Sequence, residues 1–287
     1  MDNGQNILID DNKCIGCEEC ISLCATNTLQ MRDGKAVVIN DECFGCDHCV
    51  AVCPSDAITL STMDEDNLKF DNFKMEQVWV APGKYDTSKL VQFMSSRRSC
   101  RNFKELDIDR SYLDDLIKIG ITAPSGTNSQ EWTFTTIESR KQVLEFGEVV
   151  GSFYERLNKM ASNSLLRNSL RVIGQKELHE YYQGYYQTVK EGLQEWRENG
   201  KDLLFHGATA MIVVGSKRSA SCPHDDALLA TQNILLGAHA MGLGTCLVGF
   251  VIEASKRDKN VYRFLGIPED EKIYSAIAIG HPLESYI

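Results

Sequence analysis

C-I-G-C-E-E-C-I-S-L-C, from Cys14 to Cys24, and C-F-G-C-D-H-C-V-A-V-C-P, from Cys43 to Pro54, are the stretches that decide how this chain is read. Four thiols at one spacing recur after 29 residues. Thiolates are soft ligands that suit iron–sulfur clusters. A zinc site built on two CxxC pairs uses four ligands and leaves four of these cysteines unexplained. A disulfide framework belongs to a secreted chain, and residues 1–13 do not read as a signal peptide. The expected compartment is therefore reducing and cytoplasmic.

Over residues 1–62 the chain resembles a bacterial two-cluster ferredoxin, in which the fourth cysteine of each run ligates the other cluster. The resemblance implies two [4Fe–4S] clusters. One is held by Cys14, Cys17, Cys20 and Cys53, the other by Cys43, Cys46, Cys49 and Cys24. Ala25 stands where the second run has Pro54, so the turn after Cys24 is expected to be less constrained. Residues 9–29 and 38–58 read as two copies of one unit: a short strand (7–9; 36–39), the cysteine loop and a brief helical turn. Residues 32–35, Arg-Asp-Gly-Lys, turn between them.

Working outward, the 287 residues suffice for a core and a second, smaller module, with 43% hydrophobic and 24% charged residues. The net charge of −10 argues against nucleic acid as a partner. Residues 1–62 hold ten acids against three bases and so carry most of that charge, either as a solvated surface or to steer a basic redox partner. Cys100, Cys222 and Cys246 lie outside the repeat and are expected to be buried or inert. From 234 to 252 the only titratable side chains are His239 and Cys246, but four glycines interrupt the run. A buried helix, loop and strand are expected there, not a membrane span.

Residues 63–84 turn acidic and weakly patterned and read as a linker lying across the second domain, which runs from 85 to 287. Helices are expected over 87–97, from Ser111 to before Pro124, across most of 139–199, over 225–241 and over 253–265. Strands are expected over 132–137, 208–215, 245–250 and 273–279. Helices alternating with a few apolar strands give an α+β layered domain, a central sheet flanked by helices.

Three stretches in this domain carry polar chemistry. Arg97-Arg98-Ser99-Cys100-Arg101 puts three guanidiniums and a hydroxyl within five residues, enough to clamp a phosphate, though such a run also suits a solvated helix end. Residues 123–132, A-P-S-G-T-N-S-Q-E-W, form a turn with hydroxyl and amide groups that can read the edge of a heterocycle. Residues 242–250 are glycine-rich, so backbone can approach a ligand closely.

Together and in this order, R-R-S-x-R-x-F, A-P-S-x-x-N-x-Q-x-W and the helix motif over 226–245 resemble the FMN-dependent nitroreductase family across about 85–282. The resemblance implies that Arg97, Arg98 and Ser99 hold the phosphate, ribityl chain and pyrimidine edge of FMN, with Arg101 beside them. It implies that Pro124, Ser125, Gly126, Asn128 and Gln130 reach the flavin of the mate in an intertwined homodimer. Backbone N–H groups near Val248 and Gly249 would face flavin N5 and O4, where a donor stabilises developing charge. Relatives commonly add a Lys or Arg after the Gly280-His281-Pro282 strand end, and this chain has none there.

The expected activity is flavin-dependent reduction of a small conjugated acceptor such as a nitro compound or quinone. The electron donor would be an external ferredoxin-like protein or NAD(P)H. Gly242-x-Gly244 lacks the third glycine of a dinucleotide fingerprint. The alternatives are an electron relay serving a partner protein, and a specialised biosynthetic or dehalogenating flavoenzyme. Tyr181, Tyr182, Tyr185 and Tyr186 fall in two pairs four residues apart, suited to a packed dimer helix or to a lid over a flat substrate. His206 and His239 are expected to be structural, and His48 to be exposed in its cluster loop.

Overall fold

A computed structural model of the chain describes residues 7–60, 68–76 and 78–285. The expected linker, 63–84, thus lies partly outside the described residues. The chain divides into two compact units, the first comprising 1–75 together with 125–130, the second 76–124 and 131–287.

The first unit is built from two short ladders. β1 (Ile7–Ile9) pairs antiparallel with β4 (Ile58–Leu60). β2 (Leu29–Arg32) pairs with β3 (Lys35–Val38) through a turn in which Asp33 and Gly34 both have positive φ. That is the conformation an Asp-Gly hairpin turn prefers, because its twist matches the strands. Single helical turns, α1 (Glu19–Ser22) and α2 (His48–Ala51), each enclose the third cysteine of their run, Cys20 and Cys49. Leu29, Ala36, Ala57 and Ile58 make a small apolar core together with Cys14 and Cys20. The turn after Cys24 has the same shape as that after Cys53. Asn27 and Asp56 both adopt positive φ, and each donates its N–H to the carbonyl of the preceding fourth cysteine. Ala25 therefore costs the turn nothing visible.

The second unit is organised on a four-stranded antiparallel sheet of order β5-β6-β8-β7. These strands are β5 (Trp132–Ile137), β6 (Ala210–Lys217), β7 (Gly244–Leu247) and β8 (Glu271–Gly280). The two central strands, β6 and β8, are buried over most of their length and read as nearly continuous apolar runs, which the two covering layers explain. On one face α4 (Arg110–Gly120) and α9 (Pro223–Ala240) pack with Leu113, Leu116, Ile234 and Leu235 against Ile212 and Ile277. On the other face α5 (Arg140–Ser162), α10 (Gly249–Ser255) and α11 (Lys259–Leu265) bury Phe146, Val150, Val251 and Val261.

The 139–199 stretch resolves into α5, α6 (Ser164–Val172), α7 (Glu177–Gly184) and α8 (Tyr186–Asn199). Its tyrosines are engaged within this layer. Tyr181 donates to Asn158 Oδ1 at 2.7 Å, Arg167 lies 3.6 Å over the Tyr182 ring, and Tyr182 and Tyr186 rings sit 4.8 Å apart. The helix expected over 253–265 is two helices, because Asp258 caps α11 through the N–H of Asn260 and pairs with Arg156. The strand expected over 245–250 ends at Leu247, and Gly249 opens α10.

α3 (Thr87–Ser96), capped by Asp86, whose side chain accepts from Lys89 N–H, buries no residue. Leu90, Val91 and Met94 are exposed, while Phe93 meets His239 at 5.2 Å. The turn that follows α3 lies on the sheet edge. Ser99 bridges Thr245 in parallel, Cys100 N–H donates to Thr245 O, and Phe103 bridges Pro282. This close approach requires glycine at the end of β8, since a Cβ at Gly280 would stand 2.6 Å from the Phe103 ring.

Two alanine substitutions should therefore differ in sign. Gly280→Ala forces the buried Phe103 ring aside and should lower unfolding stability by about 1–3 kcal/mol. Gly192→Ala, on α8 with open space around the position, should raise it by up to about 1 kcal/mol. Equilibrium denaturation of the two variants against the parent checks both.

Candidate functional site

In the first unit the eight repeated cysteines surround two hollows. One is lined by Cys14, Cys17, Cys20 and Cys53, with Met31, Ala36 and Ile58. The other is lined by Cys24, Cys43, Cys46 and Cys49, with Ile7, Leu29 and Leu60. These are the crossed sets that the ferredoxin resemblance implies. The thiols in each hollow act on one another. Burial raises the Cys20 pKa, and Cys17, Cys14 and Cys53 push the same way. Burial also pushes the Cys49 thiol up to about 11, with Cys43, Cys46 and Cys24 adding to it.

The two crossing cysteines are held differently. Burial works against the Cys24 thiolate, but the Thr26 hydroxyl and backbone donors including Thr28 N–H outweigh it and lower the pKa. Thr28 N–H reaches Cys24 Sγ at 3.3 Å, and Ala57 N–H reaches Cys53 Sγ at the same distance. Cys53 is lowered likewise, by Ala57, Ser55 and Ile58 against burial. Gly45 N–H adds a third such donor, 3.2 Å from Cys43 Sγ. Four soft sulfurs around each hollow, with N–H groups aimed at several of them, fit a cluster that carries net negative charge on its sulfurs.

The residues expected at FMN fall in both units. In the second, Arg97, Ser99 and Arg101 gather beside β7. Arg101 and Arg97 both pull the Cys246 pKa downward against the burial that raises it, so positive potential collects at this edge. Among the described residues neither guanidinium pairs with a carboxylate. Two guanidiniums without acidic partners, on a turn seated against backbone, fit a phosphate. Arg98 differs: its Nη1 turns back to the carbonyls of Ser95 and Arg97 and closes the end of α3. Val248 differs too, because its N–H already donates to Ala276 O at 2.9 Å. Gly249, exposed at the start of α10, keeps a first-turn N–H with no acceptor inside its helix. Pro124 ends at the unit boundary.

The strand end after Gly280 pairs with the arginine turn. Lys104 N–H donates to His281 O, Leu283 N–H to Asn102 O, and Asn102 Nδ2 to Glu284 Oε1. A carboxylate thus stands where relatives commonly place a cation. His206, read as structural from sequence, proves to be near Arg101. Burial lowers its pKa, with Asp202 opposing and Arg101 reinforcing the shift. No sequence pattern pointed to that proximity.

Ser125, Gly126, Asn128 and Gln130 belong to the first unit. Ser125 Oγ accepts from Gln130 N–H at 3.0 Å and closes the loop on itself. Thr127, Asn128 and Gln130 all have positive φ. Asn128 does not point its amide into open space. Its Nδ2 donates to Phe44 O at 3.1 Å and to Gly45 O at 2.8 Å, within the second cysteine loop.

The nitroreductase family model matches residues 94–281 and a 4Fe-4S dicluster domain matches residues 7–60. The chain is 23% identical over 196 residues to an iodotyrosine deiodinase of Thermotoga neapolitana, a span covering 67% of this chain and 88% of that one. It is 23% identical over 209 residues to a 4-nitrobenzoate reductase of Nocardioides sp., covering 66% and 81%. Over 34 residues it is 45% identical to Ferredoxin-2 of Desulfomicrobium norvegicum, covering 12% and 58%. Among solved structures, a nitroreductase with bound FMN from Bacteroides fragilis aligns with 20% identity over 70% of this chain and 92% of its own, with a TM-score of 0.49.

The crossing makes a specific prediction. Cys24→Ser should disturb the cluster of the second cysteine run, not of the run in which Cys24 itself stands. Iron content should fall toward half, and Mössbauer or EPR spectra should retain one intact four-iron site of unchanged signature.

Proposed function

This chain belongs to the nitroreductase family, and we propose that it is an FMN-dependent oxidoreductase that takes up electrons singly through its dicluster unit and delivers them in pairs to a small conjugated acceptor. The clusters supply one-electron transfer, and the flavin supplies the change from single electrons to a hydride equivalent. What supports the reading is one observation. The segment 125–130, which the family resemblance assigns to the flavin, belongs to the same compact unit as the two cysteine hollows.

The residues have distinct tasks. Arg97 and Arg101 would hold the FMN phosphate, helped by Ser99, while Arg98 closes the end of α3 beside them. Gly249 N–H, free at the start of its helix, would stabilise charge developing on the bound flavin. Ser125 orders its loop through Gln130. The proposed assembly is a homodimer, supported by the uncovered Leu90, Val91 and Met94 of α3. Among the described residues no helix is long and apolar enough to cross a membrane. The free thiols fit a reducing, cytoplasmic setting, with a ferredoxin-like protein or NAD(P)H as donor. A second reading, reductive dehalogenation, draws on the likeness to the iodotyrosine deiodinase of Thermotoga neapolitana.

Anaerobic purification should yield about eight iron atoms and one FMN per chain. With reduced ferredoxin as donor, the protein alone should turn over a nitroaromatic or quinone; a halogenated phenol turned over in preference would select the second reading. A fully loaded protein that turns over none of these, yet binds another oxidoreductase tightly, would instead be a relay. Separately, Arg97→Ala should weaken FMN binding about tenfold or more while leaving iron content unchanged, as measured by flavin fluorescence and iron assay.

A further inference from the structure

The two cysteine loops repeat in sequence and in backbone shape, since Gly16 and Gly45 occupy equivalent positions with φ of 71° and 63°. They differ in what holds them from outside. In the first loop, Lys35 Nζ reaches the carbonyl of Cys14 at 2.5 Å. In the second, the amide of Asn128 spans the carbonyls of Phe44 and Gly45, at 3.1 and 2.8 Å. All of these groups lie in the first unit.

The Phe44 carbonyl and the Gly45 N–H are the two ends of one planar peptide group. Asn128 donates to its oxygen, and its N–H donates to Cys43 Sγ at 3.2 Å. A peptide pinned at the oxygen keeps its N–H aimed at the sulfur, and hydrogen bonds in series polarise one another. The Gly45 carbonyl, held at the same time, fixes the following peptide too. An N–H aimed at a ligating sulfur favours the more negatively charged state of a cluster, and hydrogen bonding to the sulfurs is one determinant of its potential.

We infer that Asn128 is a positioning residue for the cluster held by Cys43, Cys46, Cys49 and Cys24, and that it raises that cluster's one-electron potential relative to the other. It acts through the Phe44–Gly45 peptide and touches no sulfur itself. The inference rests on the reading that the first unit binds two clusters, which the iron content of the unmodified protein tests separately. It also reassigns a residue that the family resemblance places on a flavin.

The test is Asn128→Gly in the full chain, loaded with both clusters and FMN. Glycine keeps the positive φ at this position without strain and removes the side chain that carries the amide. An EPR-monitored redox titration should show one cluster couple moving negative by about tenfold in its reduction equilibrium, about 59 mV for one electron, with the other couple in place. Hydrogen-exchange mass spectrometry should show faster amide exchange over 43–47 and none over 14–18. Two unmoved couples, or two couples moving together, overturn the inference. So does unchanged exchange over 43–47. Loss of FMN with both couples in place returns Asn128 to the flavin, and failure to load iron makes it a structural requirement of the site; either result also overturns it.

Discussion

Thiolates crowded around one hollow repel each other and resist burial, and the first unit is arranged around cancelling that cost. The third cysteine of each run is driven upward by burial and by its three neighbours. The fourth, crossing to the other hollow, is met by backbone N–H groups and hydroxyls that lower it. Each run thus carries one sulfur whose anion burial and its neighbours disfavour and one that peptide dipoles already favour as an anion. Metal binding supplies the missing charge, and in a unit with so small an apolar core it supplies folding free energy as well. The short ladders β1–β4 and β2–β3 bring the runs together, but little else in the unit would hold them.

The second unit meets an opposite requirement. Its sheet is thoroughly covered, and its chemistry is pushed to an edge where covering layers end. The arginine turn reaches β7 because Phe103 packs on a position with no side chain, and because Ser99, Cys100 and Phe103 complete backbone pairings that the edge would otherwise leave open. Positive charge arrives there as a consequence of that packing. Arg98 is used on the helix it ends, so three guanidiniums within five residues do not amount to three phosphate ligands.

Much of this was legible in residue order because the relevant signals are local. Cysteine spacing, the Asp-Gly turn and the alternation of 132–137 each specify a structure within a few residues. What escaped depended on distant partners. β2 and β4 are too short to show a period, and they exist because β3 and β1 lie alongside them. The division between α10 and α11 turns on Asp258, whose partner Arg156 is a hundred residues away in sequence. Val248 was read as a free backbone donor, and only the sheet reveals that Ala276 takes its N–H. Asn128 was recognisable as a polar reader, while the object it reads was not encoded near it. Helix starts shift by one or two residues, as where α4 begins at Arg110 rather than Ser111 and α9 at Pro223 rather than Asp225.

Thr127, Asn128 and Gln130 share one oddity: each holds the left-handed backbone that L-residues avoid. Asparagine accepts it readily, but a β-branched threonine does not, and such positions cost on the order of 1 kcal/mol or more. With half of its six residues in that backbone, the segment behaves like a bent spring, held by its own hydrogen bonds and by a load from outside. The Asn128 amide on the Phe44 and Gly45 carbonyls is such a load. A segment of this kind senses company: take away what it leans on and it has every reason to uncoil.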